Sequence, residues 1–167
     1  GDPLVHLVRN AVDHGIEADP RERTSRGKPA AGRVELRAFH KGGSIHIEIE
    51  DDGRGLDRTA ILAKAREKNL IPDGEALSDR EAWNLIFLPG FSTAAKVTDI
   101  SGRGVGMDVV RRNIQALGGR INIVSKPGKG STFTMSLPLT LAVLDGMVVS
   151  AHGQTLVAPI TAIVETL

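Results

Sequence analysis

Apolar residues near the start of the chain recur at helical spacing. Leu4, Leu7, Val8, Ala11 and Val12 fall on one side, and His6, Asn10, Asp13 and His14, at i, i+4, i+7 and i+8, form a polar stripe on the other. Asp2 can cap this segment, Pro3 suits a first helical position, and Gly15 can end it in the left-handed conformation, so the pattern predicts a helix from about residue 3 to 14. Residues 16–32 carry charges, two prolines and two glycines without periodicity, and read as an exposed loop.

The period then changes from helical to two. Val34, Leu36 and Ala38 alternate with polar residues, Lys41-Gly42-Gly43 turns, and Ile45, Ile47 and Ile49 alternate again, which predicts a hairpin with one buried face running into Asp51-Asp52-Gly53. Helices are predicted over 57–70 and over 78–88, the latter with Ser78 as cap and Pro89-Gly90 as stop. Small and hydroxylated residues between Phe91 and Gly106 read as a mobile loop or lid. Met107, Val110, Ile114 and Leu117 predict another helix ending at Gly118-Gly119, and two strands flank Lys126 to Gly130, the second alternating Phe133, Met135 and Leu137.

Helices interleaved with antiparallel hairpins make the chain α+β, a two-layer α/β sandwich with helices on one face of a sheet, over residues 1–138. Beyond Pro138 the sequence turns apolar and β-like, with turns at Asp145-Gly146 and His152-Gly153; residues 139–167 read as the beginning of a second, all-β unit. The abrupt start and end read as those of a piece of a longer protein.

Composition narrows the function classes. A net charge of +1 and 3% aromatic residues supply neither the field nor the stacking platforms of a nucleic-acid binder. Without cysteine there is no disulfide framework and no thiolate metal site, and no apolar run is long enough to cross a membrane. A cytoplasmic setting fits.

Three segments carry candidate chemistry. The Asn10 amide oxygen is a hard neutral ligand of the kind Mg²⁺ accepts, and His6, one turn earlier, can serve as a base or hydrogen-bond partner, although the same stripe also suits an ordinary solvent-facing helix. In Asp51-Asp52-Gly53-Arg54-Gly55 a carboxylate at a strand end can accept the amino group of adenine, with glycines allowing a tight turn beside the base. A Ca²⁺ loop would need further oxygen ligands where Arg54, Leu56 and Arg58 stand. Gly102-Arg103-Gly104-Val105-Gly106 precedes a helix and can cradle phosphates, or act as a hinge; it is neither a Walker loop nor a dinucleotide fingerprint.

Taken in order, the polar helix, Asp-x-Gly-x-Gly, the glycine lid and Gly128-Lys129-Gly130-Ser131-Thr132-Phe133 resemble the ATP-binding fold shared by sensor histidine kinases, DNA gyrase B subunits, Hsp90 and MutL proteins, over residues 1 to about 138. Within it the chain is most similar to chemotaxis histidine kinases of the CheA class. Asp2 to Gly15 look like the N box, Asp51 to Gly55 the first glycine box, Phe87 and Phe91 the phenylalanine box, Gly102 to Met107 the second glycine box and Gly128 to Phe133 the third. The resemblance implies that Asn10 binds Mg²⁺, that Asp51 reads adenine with Gly53 and Gly55 beside it, and that Asp13, Phe87 and Phe91 belong to the ATP site. It also implies that Gly102, Arg103, Gly104, Val105 and Gly106 cover the triphosphate, that Thr132 sits at the adenine end, and that His6 and His14 face the phosphates.

Hydrolases of this superfamily carry Glu at the His6 position to activate water, so histidine there argues for transfer to another acceptor. The implied reaction is transfer of the ATP γ-phosphoryl group to a histidine on a phosphoacceptor domain of the same kinase, and thence to response regulators. The tail from Leu137 to Met147 resembles the junction with an SH3-like, CheW-like regulatory domain that docks a CheW-like adaptor and chemoreceptors at membrane-associated arrays. A homodimer is implied only for the full-length protein. The rivals are an ATPase of the same fold that drives conformational change and a non-catalytic receptor-array scaffold.

Overall fold

The computed structural model describes residues 3–91 and 106–139, together with the strands at 146–151 and 154–159. Helix α1 (Pro3–Asn10) continues into a π-helical turn, Ala11–Gly15, closed by an Ile16 N–H to Ala11 carbonyl bond of 2.9 Å. The expected single α-helix to residue 14 is therefore corrected. Gly15 is not left-handed, and Ile16 leaves the turn extended. An i→i+5 turn holds more residues per revolution than an α-helix, so the simple polar stripe does not extend past Asn10.

A second correction falls on residues 16–32. Pro20–Ser25 form a short helix, α2, with the Asp19 carboxylate accepting from Arg21 N–H and Pro20 in the first turn. This repeats the Asp-Pro start of α1, the signal that periodicity alone does not register.

The main sheet is antiparallel, in the order β1-β2-β4-β3, built from β1 (Val34–Lys41), β2 (Ser44–Asp51), β3 (Arg120–Lys126) and β4 (Gly130–Pro138). Ile49 pairs with Phe133, and Ile47 and Ile121 with Met135. These side chains share one face and pack against Leu7, Ala11, Leu62, Trp83, Val110 and Ile114 from the helices. The opposite face is polar: Arg37 pairs with Glu35, Glu48 and Glu50 across β1 and β2.

Helices α3 (Arg58–Glu67), α4 (Asp79–Asn84) and α5 (Met107–Ala116) complete the other layer. Ser78 and Glu81 form a reciprocal capping box at α4, which passes into a 3₁₀ turn, Leu85–Phe87. Gly118, at φ +74°, ends the segment after α5 as expected. Separately, β5 (Gly146–Ala151) and β6 (Gln154–Pro159) form an antiparallel hairpin, in keeping with the β-like tail, whereas its turns at Asp145 and at His152-Gly153 lie outside the described residues.

Candidate functional site

Asp51 ends β2 on the helix-facing side of the sheet and is 4% exposed. A carboxylate there must be hydrogen-bonded, and one oxygen accepts from Gly53 N–H at 2.9 Å. Burial pushes the Asp51 carboxyl above its usual range; the backbone amides of Gly53 and Ser131 and the Lys28 charge pull the other way, while Asp52 adds to the rise. A buried acceptor at a strand end can receive the amino group of a flat heterocycle.

The turn after Asp51 lies against the end of the π-helical turn. Arg54 N–H donates to the Gly15 carbonyl at 2.9 Å, and a Cβ on Gly53 would stand 1.9 Å from that carbonyl oxygen. Gly53 is therefore required for close approach, independently of any ligand. Gly55, at φ +74°, passes against the Lys126 carbonyl, which ties the same turn to the β3–β4 hairpin. Gly53→Ala is expected to cost about 1–3 kcal/mol, the usual range for overpacking, as a lowered urea midpoint.

On α1, His6 and Asn10 are half-buried, whereas Asp13 and His14, carried round by the π-turn, are exposed. The Asn10 side-chain nitrogen donates to Met107 Sδ at 3.1 Å, which brings Asn10 to the first residue of α5 and leaves its amide oxygen as the atom suited to a hard cation. Burial, then the charges of Arg9 and His14, holds the His6 imidazole below its ordinary range, so it is neutral at pH 7 and can accept a hydrogen bond. Gly106 is the N-cap of α5; Gly102, Arg103, Gly104 and Val105 lie outside the described residues.

One expected site residue, Thr132, stands on the other face of the sheet. Thr132 pairs with Glu50 and Val124 on the sheet face opposite Asp51. The neighbour Ser131 pairs with Asp51, is buried, and joins the Ser125 hydroxyl at 2.9 Å, so Ser131 takes the position beside the carboxylate. A shift of one residue along a strand exchanges faces. Phe87 and Phe91 are core residues, 3% and 7% exposed, with Arg111 over the first ring and Lys64 over the second. They anchor the segment that follows α4.

What composition concealed is a buried ionic cluster behind the acidic turn. Arg23, from α2, is 1% exposed and donates to Glu17 at 2.6 Å, to the Asp52 carboxylate at 2.8 Å and to the Pro29 carbonyl at 2.8 Å. Lys28 meets Glu17 at 2.7 Å. Burial would raise the Glu17 carboxyl, but hydrogen bonds from Lys28, its own backbone amide and Arg23 hold it down to about 2.

No three His, Asp or Glu side chains come together as a metal cluster among the described residues. Among these residues no helix is long and apolar enough to cross a membrane.

Known proteins resemble this chain along nearly its whole length. "Chemotaxis protein CheA" of Rhizobium meliloti (strain 1021) is 63% identical over 99% of this chain, which spans 22% of that relative's length. The protein of the same name from Bacillus subtilis (strain 168) is 50% identical over 99% of the chain and 25% of its own length. A histidine kinase domain from the Erythrobacter litoralis EL346 blue-light activated histidine kinase superposes with a TM-score of 0.44 at 21% identity, over 83% of this chain and 42% of that one. Residues 1–141 match the family model for histidine kinase-, DNA gyrase B- and HSP90-like ATPases, and the chain belongs to that family.

Proposed function

We propose that the chain is the ATP-binding catalytic domain of a chemotaxis histidine kinase. The observation that carries the reading is the buried, strand-terminal Asp51, supported by 63% identity to a chemotaxis protein CheA along nearly the whole chain. Asp51 accepts the adenine amino group, with Ser131 at its side. Asn10 supplies one oxygen to Mg²⁺, which neutralises phosphate charge when bound. His6 and His14 lie toward the phosphates, and the segment ending at Gly106 covers them.

Phosphoryl transfer needs little covalent help from the protein, since positioning and charge neutralisation carry most of it. A neutral His6 holds a hydrogen bond without orienting water as a carboxylate would, which favours transfer to a histidine on a separate domain over hydrolysis. Residues 139–167 begin a regulatory region that docks a CheW-like adaptor and chemoreceptors, and response regulators receive the phosphoryl group next.

The test is calorimetry with Mg-ATP. Asn10→Ala is expected to weaken Mg-ATP binding about tenfold or more, while nucleotide without Mg²⁺ binds the variant and the parent alike. Equal loss with and without Mg²⁺ would overturn the assignment of Asn10.

A further inference from the structure

The ammonium group of Lys28 reaches the acidic turn from behind. It donates to Glu17 Oε1 at 2.7 Å, to the Asp52 carbonyl at 2.9 Å and to the Gly53 carbonyl at 2.6 Å. An ammonium group has three N–H donors, and all three are used. Its side chain is 14% exposed, so it is committed inward and is not available to a ligand's phosphates.

The two carbonyls belong to successive peptide planes, and in a trans peptide the N–H points away from the C=O. In the first plane Lys28 holds the Asp52 carbonyl, and the Gly53 N–H on its other side donates to Asp51 Oδ1 at 2.9 Å. In the second it holds the Gly53 carbonyl, and the Arg54 N–H opposite donates to the Gly15 carbonyl. Rotation of either plane breaks a bond on both sides at once. Lys28 is in turn fixed by Glu17, which Arg23 also grips while reaching the Asp52 carboxylate.

We propose that Lys28 is a positioning residue that sets base specificity: by clamping the Asp52 and Gly53 carbonyls it aims the Asp51 carboxylate at the exocyclic amino group of an adenine nucleotide. The inference rests on the ATP reading above and adds to it the part of the chain that enforces adenine over other purines. The Lys28 charge also acts on Asp51, opposing the rise that burial causes. Geometry carries the role, because the same nitrogen fixes both peptide planes.

Calorimetry on the chain with Mg-ATP and with Mg-inosine triphosphate, which carries a carbonyl in place of the amino group, tests it. The parent is expected to prefer ATP. Lys28→Met should lose about tenfold in ATP affinity and little for inosine triphosphate, so that the ratio falls toward one. Lys28→Arg retains the charge on Glu17 but replaces a tripod of donors with a planar fork, and should narrow the ratio as well. This second variant serves where Lys28→Met does not fold. A merely structural lysine would lower the melting temperature and leave the ratio intact, and an unchanged ratio in both folded variants overturns the proposal. A parent that binds neither nucleotide, or whose preference survives Asp51→Asn, overturns the ATP reading itself and this inference with it.

Discussion

Asp51→Asn is expected to reduce Mg-ATP affinity by about a hundredfold. A carboxylate that accepts hydrogen bonds is worth roughly 1.5–3 kcal/mol more than no partner, and the new amide can present N–H groups to the adenine amino group, donor against donor. The substitution is nearly isosteric, and Gly53 N–H can still find the remaining carbonyl oxygen. Circular dichroism should therefore show an unchanged fold while calorimetry shows the loss. Retention of parental affinity would remove Asp51 from the base-reading role. Asp51 ends an alternating strand in the sequence, and the structure adds what alternation cannot show: its depth, and the Gly53 N–H that one of its oxygens accepts.

The second large effect is on stability. Arg23→Met is expected to cost about 3–5 kcal/mol, because taking one partner from a buried ion pair leaves the other charge uncompensated. Glu17, whose side chain has no exposed surface, would retain Lys28 as its one charged partner, beside its own backbone amide. Domains of this size hold roughly 5–15 kcal/mol in total, so the variant should sit near its unfolding midpoint in mild urea. The cluster also gives a pH signature. Because the folded Glu17 carboxyl is held down to about 2, below its unfolded value, its stabilisation is complete above about pH 4.5 and disappears as pH falls through 2. Glu17→Gln should flatten the acid limb of the stability curve in that window, and urea titrations at several pH values would show it. An unaltered acid limb would mean that Glu17 is not held as described.

Elements written in local, periodic code were legible from the residues. The β1–β2 hairpin, α5 with its glycine stop, and the Ser78 cap each follow from spacing within a few residues. The misses have physical causes. Glu17, Arg23 and Lys28 are charged residues in an aperiodic stretch, and such stretches are mostly solvated; only the tertiary pairing with Asp52 buries them. Thr132 was one residue from the position that faces Asp51, a distance that matters on a pleated strand and not in a motif. Nothing in a pattern of 3.6-residue turns signals an i→i+5 bond, so the break after Asn10 was invisible.

That break lets one stretch of chain answer to two directions. Residues up to Asn10 are aligned by packing α1 against α5, while Gly15 must arrive where its carbonyl can take the Arg54 N–H. A regular helix fixes both the rise and the rotation between two such points, and cannot be adjusted at one without displacing the other. The wider turn absorbs the mismatch, so the spacing from Asn10 to Gly15 works as a gauge length. In the proposed site it sets how far the Asn10 amide stands from the turn that follows Asp51.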